Sequence, residues 1–102
     1  MNAQEPVLMD SERIAWGATI LKTISHPTRI SIAEVLSIHG KLSVGELCRI
    51  LNTEQSLMSH HLIQMKLHGV LESEREGQHI YYSLKFKDIV KMLDCIRMCE
   101  MP

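Results

Sequence analysis

A chain of 102 residues with 45% apolar side chains, a net charge of −1 and three cysteines describes one small globular domain. Aromatic residues make up only 4%, so the core must come from Leu, Ile, Val and Met, and so small a core gains from dimerisation. No apolar run reaches the roughly 18 residues of a membrane span. Met1-Asn2-Ala3-Gln4-Glu5-Pro6 has no basic region followed by an apolar core, so no signal peptide is expected. An odd cysteine count argues against a disulfide framework and for a reducing, cytoplasmic setting.

Residues 1–9 are expected to form a loose tail and residues 10–102 the folded domain. Asp10-Ser11-Glu12 opens a first helix, with an N-cap candidate and an acid in the first turn. Its apolar positions are Ile14, Ala15, Ala18, Leu21 and Ile24, at helical spacing. Trp16 lies off the centre of that stripe and suits packing or a dimer contact better than a ligand platform. Ser25-His26-Pro27 breaks the helix, and Pro27 fits the first position of the next one, which runs to about Ile38. His26 is placed to fix that junction or to touch a phosphate. His39-Gly40-Lys41 ends the second helix.

A third helix over 43–51 carries an apolar stripe at Val44, Leu47 and Leu51. Asn52-Thr53-Glu54-Gln55 is a polar turn, and a fourth helix follows with Leu57, Met58, Leu62 and Met65 on its apolar side. The pair predicts a helix-turn-helix closing at His68-Gly69. After Gly69 the period changes to that of two strands, 70–75 and 79–84, around a Glu76-Gly77-Gln78 turn. The last helix spans about Lys87 to Cys99. Ile89, Val90, Met92, Leu93, Ile96 and Met98 are too many for one face, and a second apolar face on a terminal helix suits another subunit. The expected fold is mostly α with a small β-hairpin: a winged helix-turn-helix of four helices, two strands and a fifth helix.

The outward side of the fourth helix carries Gln55, Ser56, Ser59, His60 and His61, with His61 turned partly inward. These are short or flat hydrogen-bonding groups without a carboxylate among them, which suits base edges and phosphates in a major groove. From Gln55 to Val70 there are Lys66 and three histidines but no Asp or Glu, so modest, salt-sensitive non-specific affinity for DNA is expected. Arg75, with Gln78 and His79 near the hairpin tip, is expected to touch phosphate or the minor groove, weakened by the flanking Glu74 and Glu76. A homodimer is expected in which Ile14, Ala18 and Leu21 of the first helix meet Ile89, Leu93 and Ile96 of the last. A winged helix that binds protein instead of DNA is the rival reading, disfavoured by the polar character of residues 55–61. Nothing in the sequence pairs a nucleophile with a base, forms a phosphate loop or sets two acids in an apolar run, so no enzyme is expected.

Several of these residues resemble one known family. Lys22-Thr23-Ile24-Ser25-His26-Pro27-Thr28-Arg29-Ile30 resembles the "LSHPxRL" signature of the ArsR/SmtB family of bacterial transcriptional repressors. Leu42-Ser43-Val44-Gly45-Glu46-Leu47 and Ser59-His60-His61-Leu62 resemble its next two signatures, and Arg75-Glu76-Gly77 with Tyr81-Tyr82 resembles its wing. Order and spacing match from about Ile14 to Leu84. The resemblance implies a homodimeric winged-helix repressor whose first and last helices form the dimer interface. It also implies a palindromic operator, released when an inducer binds: a metal or metalloid ion, or in some members a reactive sulfur species or oxidant.

The departures from the family bear on sensing. Its best-known metalloid sensors carry Cys-Val-Cys-Asp-Leu at the head of the third helix, where this chain has Ser43, Val44, Gly45, Glu46 and Leu47. Its zinc sensors use Asp and His pairs on the last helix, but no His follows His79 here, so Asp88 and Asp94 lack an imidazole partner. Cys95 and Cys99 remain, at i, i+4 on one helical face, where two thiolates and a third ligand can hold a soft metal or metalloid ion. They equally suit small apolar packing. Cys48 adjoins the Val44/Leu47/Leu51 stripe and suits the core, with a role only as a distant third thiol. Metal capture, thiol oxidation or persulfidation, and a repressor without an inducer all stay open. His39, His68 and His79 are too scattered to form a zinc set, and Met9, Met92, Met98 and Met101 suit packing better than thioether ligation.

Overall fold

Local signals start the first three helices of the computed structural model, which describes residues 7–102. The Asp10 side chain accepts the backbone N–H of Arg13 at 2.8 Å and opens α1 (Ser11–Ile24). Of the expected tail, residues 1–6 lie outside the described residues, and Val7, Leu8 and Met9 are exposed and without regular structure. His26 Nδ1 accepts the backbone N–H of Thr28 at 3.1 Å, and Pro27 occupies the first turn of α2 (Pro27–His39). α3 (Val44–Leu51) begins in a capping box: Ser43 Oγ accepts from the Glu46 N–H, and Glu46 Oε1 accepts from the Ser43 N–H. Asn52 ends α3 in the left-handed region at φ 49°, and Glu54 precedes α4 (Gln55–Leu67).

The sheet differs from the expected hairpin by one strand. β1 (Lys41–Ser43), β2 (Leu71–Glu76) and β3 (His79–Leu84) form an antiparallel sheet in the order β1-β3-β2. Three residues are too few to show an alternating pattern in the sequence, and β1 exists because Leu42 is buried opposite Tyr82 on the inner face. Gly77 at φ 65° leads the two-residue turn of the wing. α5 (Asp88–Met98) packs back on α2.

The core joins Ile32, Ala33 and Leu36 of α2 to Leu47, Met58, Leu62, Met65, Val70 and Leu71. α1 reaches this core with Ile20, Thr23 and Ile24, whereas Ile14 and Leu21 are 53% and 61% exposed. Two expectations change, at α4 and α5. Leu57 lies outside the buried face of α4, and His61 takes its place there at 4% exposure. Ile89 and Leu93, expected at a dimer seam, are buried in the protomer's own core at 0% and 5%. A residue already shielded by its own chain has little surface left to give to a partner.

Candidate nucleic-acid interface

The buried side of α4 is set by Met58, His61, Leu62 and Met65. At 3.6 residues per turn the opposite side is centred on Ser56, His60, Ile63 and Leu67, flanked by Gln55, Ser59 and Lys66. Gln55, Ser56 and His60 are exposed and Ser59 is half-buried, so the expected polar readers share one side. Two large apolar residues stand with them, Ile63 and Leu67, which choosing an outward face by its polar members passes over. Ser56 Oγ donates to Glu54 Oε1 at 2.9 Å. Glu54 thus brings a carboxylate to the head of α4, beside a helix that itself contains no acid.

His61 does not join the outward group. Arg29 Nε donates to His61 Nδ1 at 3.0 Å, and Arg29 Nη1 donates to the Thr23 carbonyl at 3.2 Å. The His26 ring lies 4.6 Å from that of His61, centroid to centroid, and the His60 ring 5.8 Å. Burial holds the His61 pKa below its ordinary value, and the charges of Arg29, His26 and His60 add to the effect. Nδ1 accepts from Arg29, so the neutral ring carries its proton on Nε2.

The two sides of the wing separate its charges. Side chains alternate along a strand, so Glu74 and Glu76 fall on one side with Tyr81 and His79, and Ser73 and Arg75 fall on the other with Tyr82 and Ile80. Lys41 Nζ pairs with both Glu74 and Glu76 and lies 5.4 Å from the centre of the Tyr81 ring. That bond raises the Lys41 pKa and lowers that of Glu76. On the side facing α4, Lys66 Nζ donates to Ser73 Oγ at 2.7 Å. Arg75 shares that side, and its Nε donates to the Gly77 carbonyl at 3.3 Å. The expected wing group therefore divides: Arg75 lies toward α4, Gln78 sits in the turn, and His79 faces the other side beside Tyr81. The acids expected to weaken Arg75 point away from it and are engaged by Lys41.

The thiols lie on separate elements. Cys48 is half-buried in α3 and packs against the core, while Cys95 is exposed on α5 and Cys99, expected inside the last helix, is exposed just past its end as the extended C-cap. Arg97 pairs with Asp94 and with Glu34 at 3.1 Å, so its charge is taken up by carboxylates. Among the described residues no cluster of three or more His, Cys, Asp or Glu is placed to hold a metal ion, so one protomer offers a soft ion only a thiol pair. A groove of about 260 Å³ runs between α1, α2 and α5, lined by Leu21, Ile24, Ile30, Met92, Leu93 and Ile96. Ile96 is exposed at it, and Ala18 is exposed further along α1. Trp16 packs on Phe86 at 5.5 Å between ring centres, a contact within the protomer.

Residues 24–74 match the family of helix-turn-helix domains. The chain is 40% identical over 83 residues to the transcriptional repressor PagR of Bacillus anthracis, covering 78% of this chain and 83% of PagR. The crystal structure of PagR superposes with a TM-score of 0.79 at 32% identity, over 85% of this chain and 99% of that one. The chain belongs to the ArsR/SmtB family of winged helix-turn-helix transcriptional regulators. Its members are DNA-binding regulators and not enzymes, and this chain's relatives include repressors. The HTH-type transcriptional regulator YgaV of Escherichia coli (strain K12) is 43% identical over 68 residues, 67% of this chain and 69% of YgaV. The cadmium resistance transcriptional regulatory protein CadC homolog of Staphylococcus aureus is 34% identical over 77 residues, 76% of this chain and 64% of that protein. The family's winged fold matches the expected one, with β1 added. No helix among the described residues is long and apolar enough to cross a membrane.

Proposed function

We propose that this protein represses transcription as a homodimer on a two-fold operator. In this reading α4 of each protomer enters a major groove with Gln55, Ser56, Ser59 and His60 toward base edges and phosphates. The wing follows the adjacent backbone through Arg75, with Gln78 at its tip and His79 in a lesser role. One observation carries the reading: Lys66, on the flank of a helix that itself contains no acid, and Arg75 lie on the same side of the wing. A net charge of −1 is no obstacle, because the field that matters is local.

The dimer reading rests on α1 and α5. Leu21 and Ile96 are exposed at an apolar groove, Ile14 and Ala18 are exposed further along α1, and a partner's matching helices would cover them. Ile89 and Leu93 support that surface from beneath. One winged helix contacts few base pairs, whereas a two-fold dimer reads two half-sites about one helical turn, roughly 34–36 Å, apart.

The inducer in this reading is a soft metal or metalloid ion, or an oxidant or persulfide, acting at Cys95 and Cys99. The pair is exposed, with Cys95 in the last turns of α5 and Cys99 capping its C-terminus four residues on, and adjoins the proposed seam. A second protomer would bring four thiols near one axis. A relative named for cadmium resistance is consistent with soft-ion chemistry. Cys48, packed against the core, stands apart from this pair.

The experiment is selection of duplexes from a randomised pool, followed by sedimentation of protein alone and on the selected site. A palindrome with half-sites one turn apart, bound by two protomers, is expected. A single ungapped half-site bound by a monomer would overturn the dimer reading, and no enrichment would overturn sequence-specific binding.

A further inference from the structure

Ser56, Ser59, His60 and Ile63 stand at i, i+3, i+4 and i+7 on α4. This is the spacing with which a homeodomain's recognition helix reads bases along a groove. Three of the four can donate or accept hydrogen bonds, and the fourth cannot. Ile63 is 56% exposed and takes no part in the core, which Met58, Leu62 and Met65 complete on the other side of the helix. Lys66 of the next turn is drawn aside to Ser73, and Leu67, four residues on and 71% exposed, extends the same apolar surface.

We infer that Ile63 is a specificity-determining residue that reads the C5-methyl group of a thymine in each operator half-site. The inference rests on α4 being the reading helix. The edges of the four base pairs in the major groove differ in donors and acceptors, which an isoleucine cannot sense, and in one apolar group, the thymine methyl. A branched apolar side chain in the middle of the reading stripe therefore discriminates by covering that methyl. It discriminates equally by leaving a polar edge without partners where the methyl is absent. 5-Methylcytosine presents the same group at the same place and is accepted on the same ground. Ile63 thus divides the labour with Ser59 and His60: they supply hydrogen bonds, and it supplies the contact that favours an A·T pair at one fixed step.

The test uses the full chain and the duplex it enriches from a randomised pool. Each thymine of that duplex is replaced in turn by deoxyuridine, which pairs identically but lacks the methyl. Binding is measured for wild type, Ile63→Ala, Ser59→Ala and His60→Ala. Wild type should lose about fourfold affinity at one thymine per half-site, the factor for one buried methyl-sized group. Ile63→Ala should bind the unmodified duplex more weakly and be indifferent to that exchange. Cytosine at the same step should bind poorly, and 5-methylcytosine should recover the loss in wild type but not in Ile63→Ala. Equal sensitivity of wild type and Ile63→Ala to every exchange would overturn the inference, as would enriched sites with no thymine in reach of α4. If Ser59→Ala and His60→Ala also bind as tightly as wild type, it is the assignment of α4 that has failed. Ile63 is exposed, so an unchanged melting temperature in Ile63→Ala separates loss of recognition from loss of fold.

Discussion

Arg29 and His61 join α4 to the junction of α1 and α2: Arg29 Nε donates to His61 Nδ1 at 3.0 Å, while the same guanidinium donates to the Thr23 carbonyl. The bond spans 32 positions of sequence and sits on the inner side of α4, next to His60 on the outer side. It ties the inner side of α4 to the junction of α1 and α2.

His61→Ala should therefore cost about 1–3 kcal/mol, because it leaves a half-buried guanidinium N–H without its acceptor. The same residue gives stability a pH dependence. Its folded pKa lies below the ordinary 6.5, so the unfolded chain binds the proton more readily. The contribution is complete above about pH 6.5 and is lost as pH falls below it toward the depressed folded value. Thermal melting from pH 7.5 down to 5 should show wild type losing stability in that window more steeply than His61→Gln. Parallel curves would contradict the assignment.

Arg75 lies on the α4 side of the wing, away from the acids that Lys41 holds. Arg75→Ala should flatten the slope of log affinity against log salt by about one counterion. His79→Ala, on the opposite side, should leave the slope nearly unchanged. An unaltered slope in Arg75→Ala would mean that the wing does not reach the DNA backbone.

The seam between protomers is best probed at exposed positions. Leu93→Asp would unfold the protomer, because Leu93 belongs to its own core. Leu21→Asp or Ile96→Asp should instead weaken dimerisation while the protomer stays folded. Each removes about 1.5–3 kcal/mol of apolar burial, which is roughly tenfold to a hundredfold in the dimer constant. Sedimentation with parallel circular dichroism checks this, and dimers as tight as wild type would place the seam elsewhere.

Cys95→Ser with Cys99→Ser should abolish operator release by thiol-directed effectors while leaving operator affinity intact. Release is measured with arsenite, zinc, cadmium, copper(I) and a persulfide donor, and Cys48→Ser serves as the core-packing comparison. If every effector that releases wild type also releases the double variant, the pair is packing. The coupling needs only about 1–3 kcal/mol to act as a switch.

Helix positions were legible because their signals are local: Asp10 as a cap, Pro27 in a first turn, Gly77 in a hairpin turn, while the cap role of His26 was not. The capping box of α3 is written in the sequence as Ser43-x-x-Glu46. What periodicity does not carry is which neighbour an apolar stripe meets. α1 bears apolar residues on two sides, and only tertiary packing separates Ile20 and Ile24, turned to the core, from Ile14 and Leu21, left exposed. The inward turn of His61 was legible in part, but its partner was not, because Arg29 lies on another helix. Grouping α4 by its polar members likewise hides Ile63, whose outward position follows from the buried residues around it.

The central claim is that the outward side of α4 reads DNA. The most direct measurement is the affinity of a Ser59→Ala, His60→Ala double variant for the enriched duplex and for an unrelated duplex at the same salt concentration. Each lost base contact should weaken specific binding by about 1–3 kcal/mol. Non-specific binding should move far less, since it is governed by phosphate contacts such as the one proposed for Arg75. A folded double variant that binds the enriched duplex as tightly as wild type would contradict the account.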